Sequence, residues 1–149
     1  MEKIVLANNK GIATVSDADY AWLSQYKWYL TIGGYAAAKI DGKQTRMHRI
    51  ILGAVGSDIV DHVNMDKLDN TRENLRLANK SQNNAHRISV VSKTGYRGVE
   101  KHKNKWRACL EYQHKRYRFG NFESAIDAAA KYNEMAKEIY GGFAILNEI

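Results

Sequence analysis

The stretch that decides the fold runs from position 60 to position 83. It reads Val60-Asp61-His62-Val63-Asn64, Leu68-Asp69-Asn70, Glu73-Asn74-Leu75-Arg76 and Ser81-Gln82-Asn83, with short intervening segments. The β-branched run 59–63 predicts a short strand, and residues 75–77 predict a second strand that returns beside it after a polar loop. Asn79 and Gln82 have capping-box spacing, which predicts a helix to about Arg87. We therefore expect two strands and a helix around one site.

Four polar residues of this stretch have the chemistry of a hydrolytic metal site. Asn74 follows His62 by twelve positions, and Asn83 follows it by twenty-one. An imidazole, whose ordinary pKa is about 6.5, is suited to act as a general base. The Asp61 carboxylate and the Asn83 amide oxygen are hard ligands suited to Mg²⁺, whereas Asn74 would hold the loop or orient the imidazole. The candidate phosphate clamps are Arg72 and Arg76. A bare Asp-His pair in an Asn-rich stretch is also compatible with caps and turns.

The composition is that of an ordinary soluble protein. The 149 residues, 44% apolar and 26% charged, suffice for one domain or two small modules. We expect a cytoplasmic protein without membrane association, because apolar runs stay below the roughly 18 residues of a membrane span and the N-terminus turns polar early. The single Cys109 excludes an internal disulfide and a cysteine zinc cluster. Its alternating surroundings predict a packed strand residue.

The positive charge is concentrated in residues 93–118. This segment contains nine Lys and Arg against Glu100 and Glu111, a local balance of +7 that equals the net charge of the chain. Such a basic segment is the electrostatic footprint of a nucleic-acid binder, although a solvated basic surface would have the same composition.

The N-terminal third predicts a small β-rich module without catalytic spacing. Ser16 and Asp19 have capping-box spacing, and the helix they begin should run through Tyr26 and bury Tyr20 and Leu23. Asp41-Gly42 predicts a tight hairpin turn. The predicted strands are 3–7, 12–15, 28–30 and 35–40.

Residues 46–52 predict a further helix whose apolar face contains Met47, Ile50 and Ile51. That arrangement would turn His48 partly toward another face, where it could contact phosphate or support the site, or be a merely structural or surface histidine.

The C-terminal third predicts a three-stranded meander followed by a helix. The strands are 95–99, 105–112 and 115–119, and Ser124 should cap a helix that ends at Gly141-Gly142. Trp106 is expected either under the sheet or against a sugar-phosphate backbone. The arginines expected on one face of the sheet, suited to guanine edges and phosphates, are Arg97, Arg107, Arg116 and Arg118.

The run 47–52, Met-His-Arg-Ile-Ile-Leu, together with the motifs between Val60 and Asn83, resembles the HNH homing endonucleases of phages and mobile introns. The resemblance implies a ββα-metal core that hydrolyses phosphodiesters with one Mg²⁺ or Mn²⁺ ion. By the same resemblance Asp61 is a metal ligand, His62 the general base, Asn74 a supporting residue and Asn83 the second ligand. This set is an His-Asn-Asn variant of the motif.

One position departs from the family pattern. Many relatives have a histidine three positions before the last asparagine, where this chain has Lys80. His86 on the same predicted helix therefore remains an alternative to Asn83 as the second ligand, and Lys80 could instead hold a phosphate.

Residues 93–147 resemble the Apetala/ethylene-response-factor DNA-binding domain. The resemblance is carried by Gly95-Tyr96-Arg97-Gly98-Val99, Trp106, Gly120-Asn121-Phe122, Ala128-Ala129, Tyr132, Gly142-Phe143-Ala144 and Leu146-Asn147. It implies that the basic sheet enters the major groove of double-stranded DNA. The acidic pair that usually precedes the alanines is reduced here to Ile126-Asp127.

These observations predict an α+β protein in four parts. They are an N-terminal mixed module (1–45), a nuclease core (46–88), a connector (89–94) and a three-strand-plus-helix DNA-binding domain (95–149). We expect a phage- or mobile-element-encoded enzyme that nicks DNA as a monomer, with a dimer remaining possible. The alternatives are a DNA-binding regulator with a vestigial core and a nuclease for RNA or repair structures.

Overall fold

The computed structural model describes residues 1–87 and 94–149, which divide into two units, Met1–Ala78 and Asn79–Ile149. The described residues form a mixed α+β structure of small sheets and few helices, which confirms the expected fold class at that level. The predicted connector lies outside the described residues except for Thr94. Within the described part of the chain, no helix is long and apolar enough to cross a membrane.

The first unit contains three small sheets. Its elements are β1 (Glu2–Val5), β2 (Ile12–Val15), α1 (Asp17–Leu23), β3 (Tyr29–Leu30), β4 (Ala36–Ile40), β5 (Lys43–Arg46), α2 (Met47–Ile51), β6 (Ile59–His62), β7 (Asp69–Asn70) and β8 (Leu75–Ala78). Strand β2 lies between β1 and the parallel β7, β4 lies between β3 and β5, and β6 pairs with β8 alone. The predicted hairpin at Asp41-Gly42 is confirmed, since both residues have positive φ and join β4 to β5.

One apolar core holds these sheets and helices together. Its fully buried side chains include Leu6, Leu23, Trp28 and Met47. The indole Nε1 of Trp28 donates to the Leu23 carbonyl at 2.7 Å, so the buried polar atom of this large side chain is satisfied. Leu6 ends the first strand by turning into the core, and the predicted strand 3–7 was therefore too long. Residues 7–9 form a short 3-10 helix instead.

The predicted capping box of Ser16 and Asp19 is wrong. Ser16 precedes α1 as expected, but its Oγ accepts from the backbone N–H of Arg72. The Asp19 carboxylate is 1% exposed and accepts from the indole of Trp22 and from Arg72. Since Asp19 occupies the inward face of α1 beside Leu23, Tyr20 is turned outward and is 37% exposed.

The second unit is a three-stranded antiparallel sheet with a long helix packed against it. Its elements are α3 (Lys80–Ala85), β9 (Val99–His102), β10 (Lys105–Tyr112), β11 (Lys115–Phe122) and α4 (Ala125–Tyr140). Strand β10 is central, and its inward residues Ala108 and Leu110 pack with Tyr132 and Ala136 of α4. The predicted strand 105–112 and the helix with its Ser124 cap are confirmed, and the strand predicted at 115–119 continues to Phe122.

The first strand of this sheet begins four residues later than predicted, at Val99. Gly98 has a φ of +65°, and a Cβ atom added there would lie 2.2 Å from the Tyr132 ring. Only glycine tolerates both this backbone conformation and this close approach. The segment before Val99 is therefore a turn pressed against α4.

Candidate active site

The β6–β8 hairpin places Asp61 opposite Arg76 and His62 opposite Leu75. Residues directly opposite in an antiparallel pair share a face of the sheet. The guanidinium of Arg76 donates to Oδ2 of Asp61 through Nε at 2.9 Å and approaches the same oxygen through Nη2 at 2.8 Å. The carboxylate, whose side chain is 11% exposed, is thus held by a charged partner on the neighbouring strand.

Asn74 holds the loop between the two strands. Its side-chain oxygen accepts from the backbone N–H of Asn64 at 2.9 Å, and its Nδ2 donates to the Asp69 carbonyl at 2.7 Å. Its own carbonyl accepts from the N–H of Val63. One buried amide therefore joins both ends of the loop to its middle, which is the supporting arrangement that the sequence predicted for it.

Asn70 orients the imidazole of His62. The side-chain oxygen of Asn70 lies 3.3 Å from Nε2 of His62, and both residues are buried. The Asn70 Nδ2 donates to the Leu68 carbonyl at 3.2 Å and to the Lys67 carbonyl at 3.5 Å, which identifies the other amide atom as the oxygen. Because that oxygen can only accept, Nε2 of His62 carries the proton, and Nδ1 is the basic nitrogen of the neutral ring.

The His62 ring lies in an aromatic cluster of the first unit. Its centroid is 5.2 Å from that of His48 and 6.1 Å from that of Tyr35. Burial lowers the pKa of His62, while the bond to Asn70 and the charges of nearby aspartates act in the opposite direction. The net effect favours the neutral ring, which is the form that accepts a proton.

His48 lies inside the first unit, which favours the structural and supporting alternatives over a phosphate contact or a surface position. It is 4% exposed because α2 has little more than one turn and packs on three sides, with Met47 and Ile51 equally buried. Burial lowers the pKa of His48 to about 3, and the charges of His62, Arg46 and Arg49 contribute to the same shift. The histidine is therefore a neutral packing partner of His62.

The two predicted phosphate clamps both have carboxylate partners. Arg72 donates from Nε and Nη2 to the two oxygens of Asp19, each at 2.8 Å. Arg76 is paired with Asp61 as described above. In the folded chain both guanidinium groups therefore bind carboxylates. To contact a phosphate, each arginine would have to share its donors between the carboxylate and the phosphate or exchange one for the other.

Asn83 lies on α3, in the second unit, and is half-buried. The predicted capping box of this helix is confirmed, since the Asn79 side chain accepts from the Gln82 N–H and the Gln82 side chain accepts from the Asn79 N–H. The helix ends at Ala85 and His86 is its C-cap, so it is shorter than predicted.

Three of the four predicted DNA-binding arginines share the outer face of the second unit's sheet. Cross-strand pairing places Glu100 opposite Arg107, with Arg116 and Arg118 on the same face. Glu100 accepts from both Arg116 and Arg118, while Arg107 donates to the side chain of Asn121 at 3.0 Å. This face is therefore positively charged overall and open to solvent on the side opposite α4.

The expectation that Arg97 lies on this face is wrong. Arg97 precedes β9, and its guanidinium donates to the carbonyls of Ala85 and Arg87 at the end of α3. Its backbone N–H is bonded to Asn147, so the residue is fixed on both sides. Trp106 is half-buried among Val99, Ala128 and Ala129, which supports the packed alternative over a backbone contact.

A divalent cation would need oxygen donors beyond the Asp61 carboxylate. The described residues contain no group of three or more His, Cys, Asp and Glu side chains that could hold a metal ion. One carboxylate with amide and water oxygens is a donor set that fits Mg²⁺, which keeps several waters when bound to proteins. The residues present therefore fit a hard cation and exclude a cysteine-type zinc site.

Comparisons with known proteins identify the family. A family model described as HNH endonuclease matches residues 47–85. Over 152 residues the chain is 37% identical to an uncharacterized HNH endonuclease of Acanthamoeba polyphaga mimivirus, an alignment that covers 97% of this chain and 80% of that protein. No solved structure matches significantly. The chain belongs to the HNH endonuclease family, which indicates nuclease activity on DNA and, in general, dependence on a divalent metal.

Two residues of the site were assigned no role by the sequence. Asn70 lies within the quoted Leu68-Asp69-Asn70 motif, but nothing in its spacing showed that its amide would reach His62. Tyr35 was expected to be an ordinary strand residue. Its ring contacts the buried histidines only because the hairpin β4–β5 brings α2 back beside it.

Proposed function

We propose that this protein is a metal-dependent endonuclease that hydrolyses phosphodiester bonds of double-stranded DNA, with His62 as the general base. The observation that carries the proposal is the Asn70 contact, which leaves Nδ1 of a buried, neutral imidazole as the proton acceptor. A general base needs this combination of defined tautomer and neutral charge. The carboxylate of Asp61, the residue before His62 on β6, would hold the cation.

In the reaction, Nδ1 of His62 takes the proton of the attacking water, and Nε2–H remains bonded to Asn70. The imidazolium that forms is stabilised by that bond and by the negative charges of Asp61, Asp66 and Asp69. Asn74 keeps the loop closed so that the imidazole stays in place. The products would carry 5′-phosphate and 3′-hydroxyl ends, as the family resemblance implies.

We propose Asp61 and Asn83 as the ligands of one Mg²⁺ or Mn²⁺ ion, with His86 as the alternative to Asn83. When bound, such an ion supplies Lewis-acid stabilisation of the charge that develops on the phosphate oxygens. Both proposed ligands offer the hard oxygen atoms that this ion prefers. Arg76 fixes the position of the Asp61 carboxylate on β6 through its guanidinium group.

We further propose that the second unit binds DNA through the outer face of its sheet. Arg107, Arg116 and Arg118 would contact the major groove and its phosphates, as in the Apetala/ethylene-response-factor domain that this unit resembles. Support comes from the exposure of Arg116 and Arg118, the partial exposure of Arg107 and the basic excess of residues 93–118. A single catalytic site per chain implies nicking by a monomer, in an enzyme of the homing type found in phages and mobile elements.

Plasmid nicking tests the proposal. Purified protein is incubated with supercoiled plasmid and Mg²⁺ or Mn²⁺, with and without chelator, beside His62→Ala. A matched control is His114→Asn, which removes an exposed histidine from a turn with positive φ that asparagine tolerates. We expect relaxed circles from wild type and the control only with metal, and a loss of about 10²-fold or more for His62→Ala. If the wild-type protein binds DNA but does not nick it in the presence of any divalent metal tested, the result would support the non-catalytic alternative.

A further inference from the structure

The cations nearest to the catalytic hairpin divide into two groups. Arg72 and Arg76 are paired with carboxylates, and Arg49 donates to the backbone carbonyls of residues 54, 56 and 58. Arg46 and Lys67 are exposed, and among the described residues neither has a carboxylate at ion-pair distance. These two charges are thus the ones that the first unit leaves available beside its site.

Both available cations contact the same aromatic ring. The guanidinium carbon of Arg46 lies 4.9 Å from the centroid of Tyr35, and Nζ of Lys67 lies 4.9 Å from it. The Tyr35 ring is in turn 6.1 Å from that of His62 and 5.0 Å from that of His48. Each cation therefore lies against the same ring that neighbours the catalytic imidazole.

The backbone fixes each member of this cluster. Arg46 ends β5, pairs with Ala37 and precedes the first residue of α2. Lys67 donates from Nζ to the carbonyl of Gly33 at 2.9 Å, which leaves further donor capacity on the ammonium. The turn before Tyr35 is closed by Thr31, which exchanges bonds with the Tyr35 backbone. The cluster is held in place before any ligand arrives.

We propose that Tyr35, Arg46 and Lys67 form a phosphate-binding cradle beside His62, which binds the backbone of the DNA strand that is cut. The inference rests on the proposed nuclease function and adds the groups that hold the substrate at the site. Phosphates of one strand follow each other at about 3.4 Å along the helix axis. Two cations on the ring that neighbours the base are thus placed for phosphates that neighbour the scissile one.

The chemistry of the cluster favours a polyanion as its ligand. Arg46 and Lys67 are solvent-exposed, and an exposed cation is held only weakly by an aromatic ring, so its hydrogen-bond donors remain available to a phosphate. Arginine can bind phosphate oxygens in a bidentate manner, and lysine contributes a compact charge. The neutral His48 behind the ring adds no competing negative charge, and neither does Tyr35.

The test measures DNA binding and cleavage for Arg46→Gln and Lys67→Gln in the full chain. The matched control is Lys43→Gln, which removes an exposed cation from the same strand, β5, as Arg46. We expect each cradle variant to lower kcat/KM for plasmid nicking on the order of tenfold at low salt. Each should also reduce the slope of log affinity against log salt by about 0.9, the value for one lost phosphate contact. Arg46→Lys and Lys67→Arg should retain most of the wild-type values.

Binding is measured in the His62→Ala background, on a labelled duplex, so that it does not depend on cleavage. Salt slopes and kcat/KM values equal to those of Lys43→Gln in both neutral variants would overturn the cradle. If wild type binds DNA but does not cut it, the nuclease proposal fails, and the salt slopes still decide whether the cradle exists. Lys67 lies in an exposed loop, so Lys67→Gln provides a readout even if Arg46→Gln does not fold.

Discussion

The carboxylates that pair with arginine differ between the two units. In the first unit the side chains of Asp19 and Asp61 are 2% and 11% exposed. Asp19 is bonded to Arg72, 53 positions later, and Asp61 to Arg76 on the paired strand. In the second unit Glu100 is 33% exposed on an open sheet face and shared by two arginines. Buried pairs hold the first unit's chain together, since breaking one leaves a charge without solvent. Exposed pairs contribute little stability and can exchange partners with a phosphate.

The same contrast applies to the neutral polar residues. Asn70, Asn74 and His48 are buried and hold or surround His62, whereas the polar groups of the second unit's outer sheet face are open to water. The first unit therefore has the properties needed for chemistry at a defined atom, and the second has those needed for adjustable contact with a charged surface. The predictions that follow test this division.

The largest effect is expected at Asn70. Asn70→Leu removes the acceptor for Nε2–H of His62 while keeping the volume, and should lower kcat by roughly 10- to 100-fold with little change in KM. Long-range ¹H–¹⁵N correlation spectra should show the Nε2–H tautomer in wild type and a mixture in the variant. Asn70→Asp retains an acceptor and should recover most of the tautomer preference. A single unchanged tautomer in Asn70→Leu would contradict the assignment.

Asp19 and Glu100 provide the direct comparison of a buried and an exposed pair. Arg72→Ala leaves the buried carboxylate of Asp19 without its charged partner and should destabilise the protein by about 2 kcal/mol. Glu100→Gln should cost less than about 0.5 kcal/mol, and it should strengthen DNA binding because it removes a negative charge from the arginine face. Denaturant unfolding and duplex titration measure the two effects. Similar destabilisation by both changes would remove the distinction between the units.

Arg107 and Arg97 separate binding from structure within the second unit. Arg107→Ala should weaken DNA binding by about 1–3 kcal/mol if the residue contacts a base edge, with little change in stability. Arg97→Ala removes bonds to the carbonyls of Ala85 and Arg87 and should lower the Tm, while folded protein keeps its affinity. Calorimetry measures the Tm, and anisotropy titration measures the affinity for DNA. A loss of affinity without a change in Tm for Arg97→Ala would show that Arg97 contacts DNA.

The last prediction is a pH dependence of stability caused by His48, which is small near neutral pH and grows as the pH falls. Its pKa is lowered from its ordinary value of about 6.5 to about 3 in the folded protein. Between these values the unfolded chain binds a proton that the folded chain does not, so stability rises with pH in this window and is lost as pH falls. His48→Phe should reduce this slope by up to about 1.4 kcal/mol per pH unit. Equal slopes for wild type and variant would show that His48 is protonated in the folded state.

Local sequence patterns predicted the hairpins and caps but not which polar residues turn inward. The β-branched segment before His62, the Asn79–Gln82 capping box and the Asp41-Gly42 turn depend on neighbours within a few positions, and the structure confirms all three. The failed predictions concern partners far along the chain. Asp19 does not cap its own helix because Arg72 lies opposite it, 53 positions later.

Arg97 shows the same limit in the second unit. Arg97 alternates with apolar neighbours in the same way as the arginines that do lie on the sheet. The chain nevertheless turns at Gly98, which has a positive φ, before the strand begins. The guanidinium then meets the end of α3, a helix that sequence spacing cannot place beside it. Only the packing of Tyr132 against the turn decides this outcome.

The sequence by itself determined the family motif, the adjacency of acid and base in Asp61-His62, and the basic segment 93–118, because each is a property of neighbouring residues or of composition. Tertiary structure decided which nitrogen of His62 is basic, which arginines are tied to carboxylates, and which cations remain beside Tyr35. The physical reason is that charge availability and tautomer depend on burial and on partners across the fold, and neither is encoded in local spacing.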